Sequence, residues 1–264
     1  MHGDTAQEAA QQIARDVDAV YVAIMASAIA AGWLARRLTR EPRAKDRSGG
    51  AVQLSRLQNL SLLLGALIGG TLGAKLPYVI ADPEGAISGL AWLRDGRTIT
   101  WGLVGGYFGV ELAKLLASVK GKTGDGFAVP VAVSIAVGRL ACFYGGCCFG
   151  SPTDLPWGVD FGDGLARHPN QLYEVAFHLA MAGVLVWIGR REWLRTQRIK
   201  VYIIAYMCFR FGSEAWRPEP EVALGLTFYQ LSAAAFAVLF ALLYLWDARK
   251  GSPNKSTSQQ HVPI

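Results

Sequence analysis

Two arginines interrupt otherwise apolar runs of the chain, Arg139 in AVGRLACFY and Arg210 in AYMCFRFGSEAW. A charged side chain within hydrocarbon costs about 2.5–3.5 kcal/mol on insertion scales, so each needs a partner or a wet cavity. Around Arg210, the residues Tyr206, Glu214 and Arg217 recur at helical spacing, which places all four on one face if the helix continues. Two readings follow. In one, Glu214 neutralises Arg210 and ties two helices together. In the other, the guanidiniums form a fork for a phosphate, a task their planar donors suit better than an ammonium does.

A third polar segment, ARHPNQLYE, runs from Ala166 to Glu174. Pro169 is tolerated at a helix start, Asn170 is placed to cap that helix, and Gln171 and Glu174 then share a face. His168 precedes the helix and is a candidate acid/base or headgroup contact. His178, flanked by Phe177 and Leu179, reads as a packed histidine. Lys75 and Lys114 lie within a turn or two of the ends of their apolar runs and could snorkel to an interface. Glu111 can pair with Lys114 three residues on.

Four cysteines complete the reactive inventory: Cys142, Cys147, Cys148 and Cys208. The run CFYGGCC lacks the paired CxxC spacing of a zinc site and has no ligand-spaced histidines. The expectation is therefore buried thiols packing as small hydrophobes, with a disulfide from Cys142 to Cys147 or Cys148 as the alternative, and no metal and no cofactor.

The elements that must carry these residues are hydrophobic helices. The chain has 264 residues, 52% of them apolar, and a mean hydropathy of +0.26. A window of roughly 19 residues finds seven apolar stretches, near 17–35, 57–81, 98–119, 127–146, 171–189, 199–216 and 224–246. The first 16 residues hold three acidic side chains against Arg15 alone, which is not the start of a cleavable signal peptide. With the N-terminus outside, the inside segments 36–56, 120–126, 190–200 and the tail carry 17 Lys and Arg, against five outside. That asymmetry favours seven spans with the C-terminus in the cytoplasm. It also accounts for the net charge of +6 as a property of cytoplasmic loops facing anionic lipid. A nucleic-acid partner is disfavoured, because no basic face alternates with aromatics as a binding groove needs.

The expected organisation is one all-α transmembrane domain over 1–250, with an ordered, Gly-, Pro- and Asp-rich extracytoplasmic loop at about 147–170. A basic linker spans 36–50, and a disordered cytoplasmic tail follows over 251–264. Glycines recur in the second stretch (Gly65, Gly69, Gly70, Gly73) and the third (Gly102, Gly105, Gly106, Gly109), a pattern that lets helix backbones approach closely. No paired inverted repeat suggests a transporter.

The runs GRLACFYGGCCFGSPTDLPWGVDF, RHPNQLYE, YMCFRFGSEAWRPEP and GLTFYQLS, with GAKLPYVI at 73–80, resemble the prolipoprotein diacylglyceryl transferase family in motif order. The resemblance covers roughly 70–264 and implies seven spans with the N-terminus outside, in a bacterial inner membrane. It implies transfer of diacylglyceryl from phosphatidylglycerol to the thiol of a lipobox cysteine in a prolipoprotein signal peptide, with release of glycerol phosphate. It places the signature arginine on Arg139 and the second arginine on Arg210. Tyr206, Glu214 and Arg217 accompany them, His168 to Glu174 (including Gln171 and Tyr173) form the family's HPxQLYE segment, and Gly150 closes the signature. The resemblance departs in two places. The usual third-span His-Gly-Gly is Val104-Gly105-Gly106 here, and the signature's asparagine and glutamate are Cys142 and Cys147. Those departures leave two alternatives open: a related lipid-headgroup transferase with another donor or acceptor, and a non-catalytic phospholipid-binding membrane protein.

Overall fold

A computed structural model describes residues 3–39, 54–88, 92 and 98–251. Within them the chain is helical: α1 (Gly3–Leu38), α2 (Arg56–Ala81), the short α3 (Pro83–Ser88), α4 (Ile99–Leu116), α5 (Asp125–Tyr144), α6 (Asn170–Arg190), α7 (Arg198–Ser213) and α8 (Phe228–Gly251). Five helical segments, 19–38, 56–81, 125–144, 170–190 and 228–249, are long and apolar enough to cross a membrane. The protein is thus an all-α, multi-pass membrane protein. Its outer faces bear the apolar side chains that lipid requires, such as Ile29, Leu67, Leu115 and Leu242, all exposed. Of the basic linker expected over 36–50, Arg36–Leu38 form the end of α1, and residues 40–50, with Arg94, Arg97 and the tail from 252 onward, lie outside the described residues.

Local sequence sets the helix starts. Ser55 and Gln58 form a reciprocal capping box at α2, and the Thr98 hydroxyl accepts from Trp101 N at α4. Helices α2 and α4 then meet through glycine. A Cβ on Gly65 would stand 2.5 Å from Gly109 O, and one on Gly73 would stand 2.5 Å from Trp101 O. No larger residue allows that approach. Helix α1 packs on α5, α5 on α6, and α7 on α8. The central core joins Val104, Ala128, Ala132, Leu185, Tyr202, Ile203, Tyr206, Met207 and Phe240.

Three local expectations are corrected. The sixth apolar stretch does not continue as one α-helix to 216: α7 ends at Ser213, a single 3₁₀ turn holds Glu214–Trp216, and Arg217 is extended. Asn170 does not cap α6. Pro169 occupies the cap position without a side-chain bond, and Asn170 Nδ2 instead donates to Trp216 O at 3.3 Å. Lys75 does not reach an interface, since it is 5% exposed, inside the bundle.

Loops at one end of the bundle are ordered. Strands β1 (Val159–Asp160) and β2 (Ala166–Arg167) form an antiparallel hairpin. Its turn is closed by Asp160 Oδ1, which accepts from Gly162 N at 2.8 Å and Gly164 N at 3.0 Å. Strands β3 (Glu221–Ala223) and β4 (Leu226–Thr227) form a second antiparallel pair that leads into α8.

Candidate active site

Helices α5 and α7 run toward this loop-covered end, and α6 and α8 start from it. Arg139, five residues before the end of α5, and Glu174, four residues into α6, therefore lie at similar depth, about 6–8 Å inside the helix ends. Their side chains meet there. Arg139 Nε donates to Glu174 Oε2 at 2.7 Å and its Nη2 to Oε1 at 2.5 Å, a bidentate fork.

Glu174 collects more. Arg217 Nη2 donates to Oε1 at 3.0 Å, Arg210 Nη1 lies 3.5 Å from the same oxygen, and the Tyr206 hydroxyl donates to Oε2 at 3.0 Å. Glu214 is the second carboxylate. It accepts from Arg210 Nη2 at 2.7 Å and from Thr227 Oγ1 at 3.4 Å, with Arg217 Nε 3.8 Å away. Glu174 and Glu214 are each 1% exposed, and Arg139 and Arg210 are 7% exposed. Three guanidiniums against two carboxylates leave this buried cluster one net positive charge. Glu214 thus neutralises Arg210, while the cluster as a whole stays cationic.

This geometry leaves Glu174 no room to accept a substrate proton, whereas Glu214 takes only two hydrogen-bond donors. Five donor groups converge on the two oxygens of Glu174, which fills a carboxylate's capacity. Donors with room for a further acceptor remain on the arginines. Arg217 Nε makes no hydrogen bond among the described residues, and Arg139 Nη1 donates to the Cys142 sulfur at 3.9 Å.

The other expected residues are placed as follows. Gln171 is fully buried; its Nε2 donates to Cys147 O at 2.5 Å, and its Oε1 has no partner among the described residues. His168 pairs with aromatic neighbours: its Nδ1 lies 3.2 Å from the Tyr173 hydroxyl, and its ring stacks on Trp216 at 5.9 Å between centroids. Tyr173 is further fixed by Trp157 Nε1, which donates to its hydroxyl at 2.8 Å. Gly150 is where two loops touch, because a Cβ there would sit 2.7 Å from His168 Cβ and 2.8 Å from Asn170 Nδ2, and would collide with Trp216 O. Gly105 and Gly106 face α2, not the arginines; a Cβ on Gly105 would strike the Gly69 carbonyl. Val104 points into the core that contains Tyr206. His178 is packed, as expected, with its Nδ1 2.9 Å from the Tyr202 hydroxyl.

Two features escaped sequence reasoning. Thr227 supports Glu214 from across the β4–α8 junction, and only its place in the GLTFYQLS run marks it. The three cysteines converge: the Sγ atoms of Cys142, Cys147 and Cys148 all lie within 4.8 Å of one another, as free thiols. Hydrogen bonds from the Cys142 and Cys147 thiols hold the Cys148 thiol well below the usual thiol range. Arg139 and Arg217 pull the same way, against partial desolvation.

The family profile described as prolipoprotein diacylglyceryl transferase matches residues 13–246. The chain belongs to the prolipoprotein diacylglyceryl transferase family. It is 31% identical over 230 residues to the phosphatidylglycerol–prolipoprotein diacylglyceryl transferase of Clostridium tetani, covering 81% of this chain and 87% of that one. The enzyme of the same name from Bordetella bronchiseptica is 33% identical over 204 residues, 72% of this chain and 76% of its own. That of Cupriavidus metallidurans is 30% identical over 240 residues, 83% and 85% respectively. The cluster around Glu174 is therefore the polar centre of a transferase-family membrane bundle.

Proposed function

We propose that this protein transfers the diacylglyceryl group of phosphatidylglycerol to the thiol of a lipobox cysteine in a prolipoprotein signal peptide, releasing glycerol phosphate. The single observation that carries this reading is the buried three-arginine, two-glutamate cluster with its net positive charge, in a family whose named members perform that transfer. A phosphodiester headgroup carries one negative charge and matches the cluster. As the ester carbon–oxygen bond breaks, charge gathers on the leaving phosphate. Fixed guanidiniums in a water-poor site stabilise it without consuming a proton.

Each arginine has a distinct part. Arg139 and Arg210 are the phosphate-facing donors, with Arg217 at the rim, its Nε making no hydrogen bond among the described residues. Glu174, Glu214 and Tyr206 hold the guanidiniums in one orientation, so little reorganisation accompanies charge build-up. Gln171, Tyr173, His168 and Gly150 order the loop that roofs the cluster, and Gly105 and Gly106 fix α4 against α2. The nucleophile is the substrate's own sulfur, which must attack as thiolate.

We further propose seven spans with the N-terminus outside and the C-terminus cytoplasmic in a bacterial inner membrane, as the charge asymmetry favours. Helices α4 and α7, of 18 and 16 residues, are the two short spans; α7 reaches only about 24 Å and is completed by the 3₁₀ turn. In that arrangement the cluster opens toward the extracytoplasmic face, where a signal peptide emerges.

Incubating the purified protein with phosphatidylglycerol vesicles and a lipobox peptide tests the reading. A thioether product heavier by one diacylglyceryl group is expected. Absence of that product beside an active relative would overturn it and leave a non-catalytic phospholipid binder. Lipidation of a different acceptor or from a different donor would instead favour the related headgroup transferase.

A further inference from the structure

The carboxylate at the centre of the arginine cluster cannot take the proton of the acceptor thiol. Glu174 is saturated with donors, and Val104 stands in the core where the resemblance places a histidine. Beside the cluster lie the three cysteines. Cys142 ends α5 in its last turn. The backbone then turns back through two left-handed residues, Gly146 (φ 61°) and Cys148 (φ 62°). Left-handed φ at a cysteine is uncommon and persists where its surroundings enforce it. The turn is held by Cys147 N, which donates to Cys142 O at 3.1 Å, and by buried Gln171 on Cys147 O. The result is three sulfurs within 4.8 Å of one another. Three thiolates around a zinc-like ion at about 2.3 Å would stand roughly 3.8 Å apart, so closure needs only side-chain adjustment.

We propose that Cys142, Cys147 and Cys148 form a three-thiolate site for a thiophilic divalent cation of the zinc class, whose open fourth position takes the sulfur of the incoming acceptor cysteine. This rests on the transferase reading above and supplies its missing deprotonation. Three protein ligands with one open position is the arrangement of a catalytic rather than a structural zinc site, and soft thiolates select such ions. The site lies at the C-terminal end of α5, where exposed carbonyls favour a cation. A dication with three thiolates carries one net negative charge, which the adjacent net-positive arginine cluster balances.

The chemistry closes. On binding, the acceptor thiol loses its proton to water, because a metal-coordinated thiol is deprotonated outright. The bound sulfur then supplies an electron pair to the terminal glycerol carbon of the diacylglyceryl group. A carbon–sulfur bond forms as the carbon–oxygen bond to phosphate breaks, and the electron pair leaves on glycerol phosphate beside the arginines. Arg139, 3.9 Å from Cys142 Sγ, connects the two half-sites. The buried Gln171 Oε1, without a partner among the described residues, is an acceptor available to a backbone N–H of the acceptor segment. The CFYGGCC spacing alone argued against a metal; the left-handed turn is what brings the thiols together.

The test uses the full chain, purified in detergent with reductant, loaded with Zn²⁺ or Co²⁺ and desalted. One equivalent of zinc per chain is expected, together with cobalt–thiolate charge-transfer absorption. Both should be lost in Cys147→Ser and Cys148→Ser, whose thermal unfolding stays near that of the parent. A lipobox peptide should perturb the cobalt spectrum, and the same peptide with serine for cysteine should not. Chelation should remove most lipidation activity, and zinc should restore it. Failure to retain metal, equal retention by the cysteine variants, or full turnover after chelation would each overturn the proposal. So would a Cys142–Cys147 or Cys142–Cys148 disulfide in active protein. Metal content and the peptide-dependent spectrum are read without turnover, so a bound ion that responds to the peptide in an inactive protein would sink the transferase reading alone.

Discussion

Changing Glu174 to glutamine removes one charge and almost no volume, and it tests whether this carboxylate organises the whole cluster. In the parent, Glu174 is 1% exposed and bonds Arg139, Arg217 and Tyr206 at 2.5–3.0 Å, with Arg210 at 3.5 Å. Glutamine keeps one acceptor oxygen and turns the other position into a donor facing guanidinium donors. The cluster passes from one net positive charge to two. Removing one partner of a buried ion pair costs about 3–5 kcal/mol, a large share of a total of about 5–15 kcal/mol. At about 2–4 °C per kcal/mol for a chain of this size, the melting temperature should fall by roughly 6–20 °C. Displacement of Arg139 and Arg210 should lower turnover by about 10²-fold. Glu174→Asp, which keeps the charge but shortens the arm, should fall between the two. The assay is thermal unfolding in detergent alongside lipidation of a lipobox peptide. A melting temperature within ~2 °C of the parent and normal turnover in Glu174→Gln would refute the reasoning.

Arg210→Lys should keep the charge yet lose most turnover, because one ammonium cannot serve Glu214 and a phosphate oxygen with fork geometry; near-parental kcat/KM would show that charge alone suffices. Gly150→Ala places a Cβ against Trp216 O and His168 Cβ, so it should cost about 1–3 kcal/mol and raise KM for the peptide through the displaced roof, read from thermal unfolding and steady-state lipidation. Gly105→Val forces α4 off the Gly69 carbonyl and should lower detergent stability and yield more than the same change at Gly183, where a Cβ meets nothing within 4 Å. Tyr206→Phe removes one donor to Glu174 and should cost about 1 kcal/mol, measured as a small drop in melting temperature with turnover largely retained.

Much of the bundle was legible in the chain because lipid imposes simple rules. Apolar length placed the helices, as at α5 and α6, where the expected limits fall within two residues of those observed. The glycine runs of the second and third stretches marked both helices for close packing, because only small residues allow backbones so close; that they pack on each other came from the structure. Arg139 and Arg210 were conspicuous for the opposite reason, as charges that hydrocarbon penalises. What the sequence could not give was the partner across helices. Helical spacing tied Glu214 to Arg210, and that bond exists, but it could not show that Glu174, from a helix joined by a long loop, takes three arginines. Spacing also misled locally. Asn170, a good capping residue by type, reaches Trp216 instead, and the helix face through Arg217 is interrupted by a 3₁₀ turn that still delivers the guanidinium to the same carboxylate. The cysteine convergence depends on positive φ at Gly146 and Cys148, which residue type does not announce.

The most direct test of the central claim follows both products in one reaction, with parent, Arg139→Ala and Arg210→Ala proteins, phosphatidylglycerol and a lipobox peptide. The parent should release glycerol phosphate and form the peptide thioether in equal amounts, and each alanine variant, if folded, should lose both together. Thioether formation that persists in the arginine variants, or glycerol phosphate released by the parent without the peptide thiol, would contradict the account.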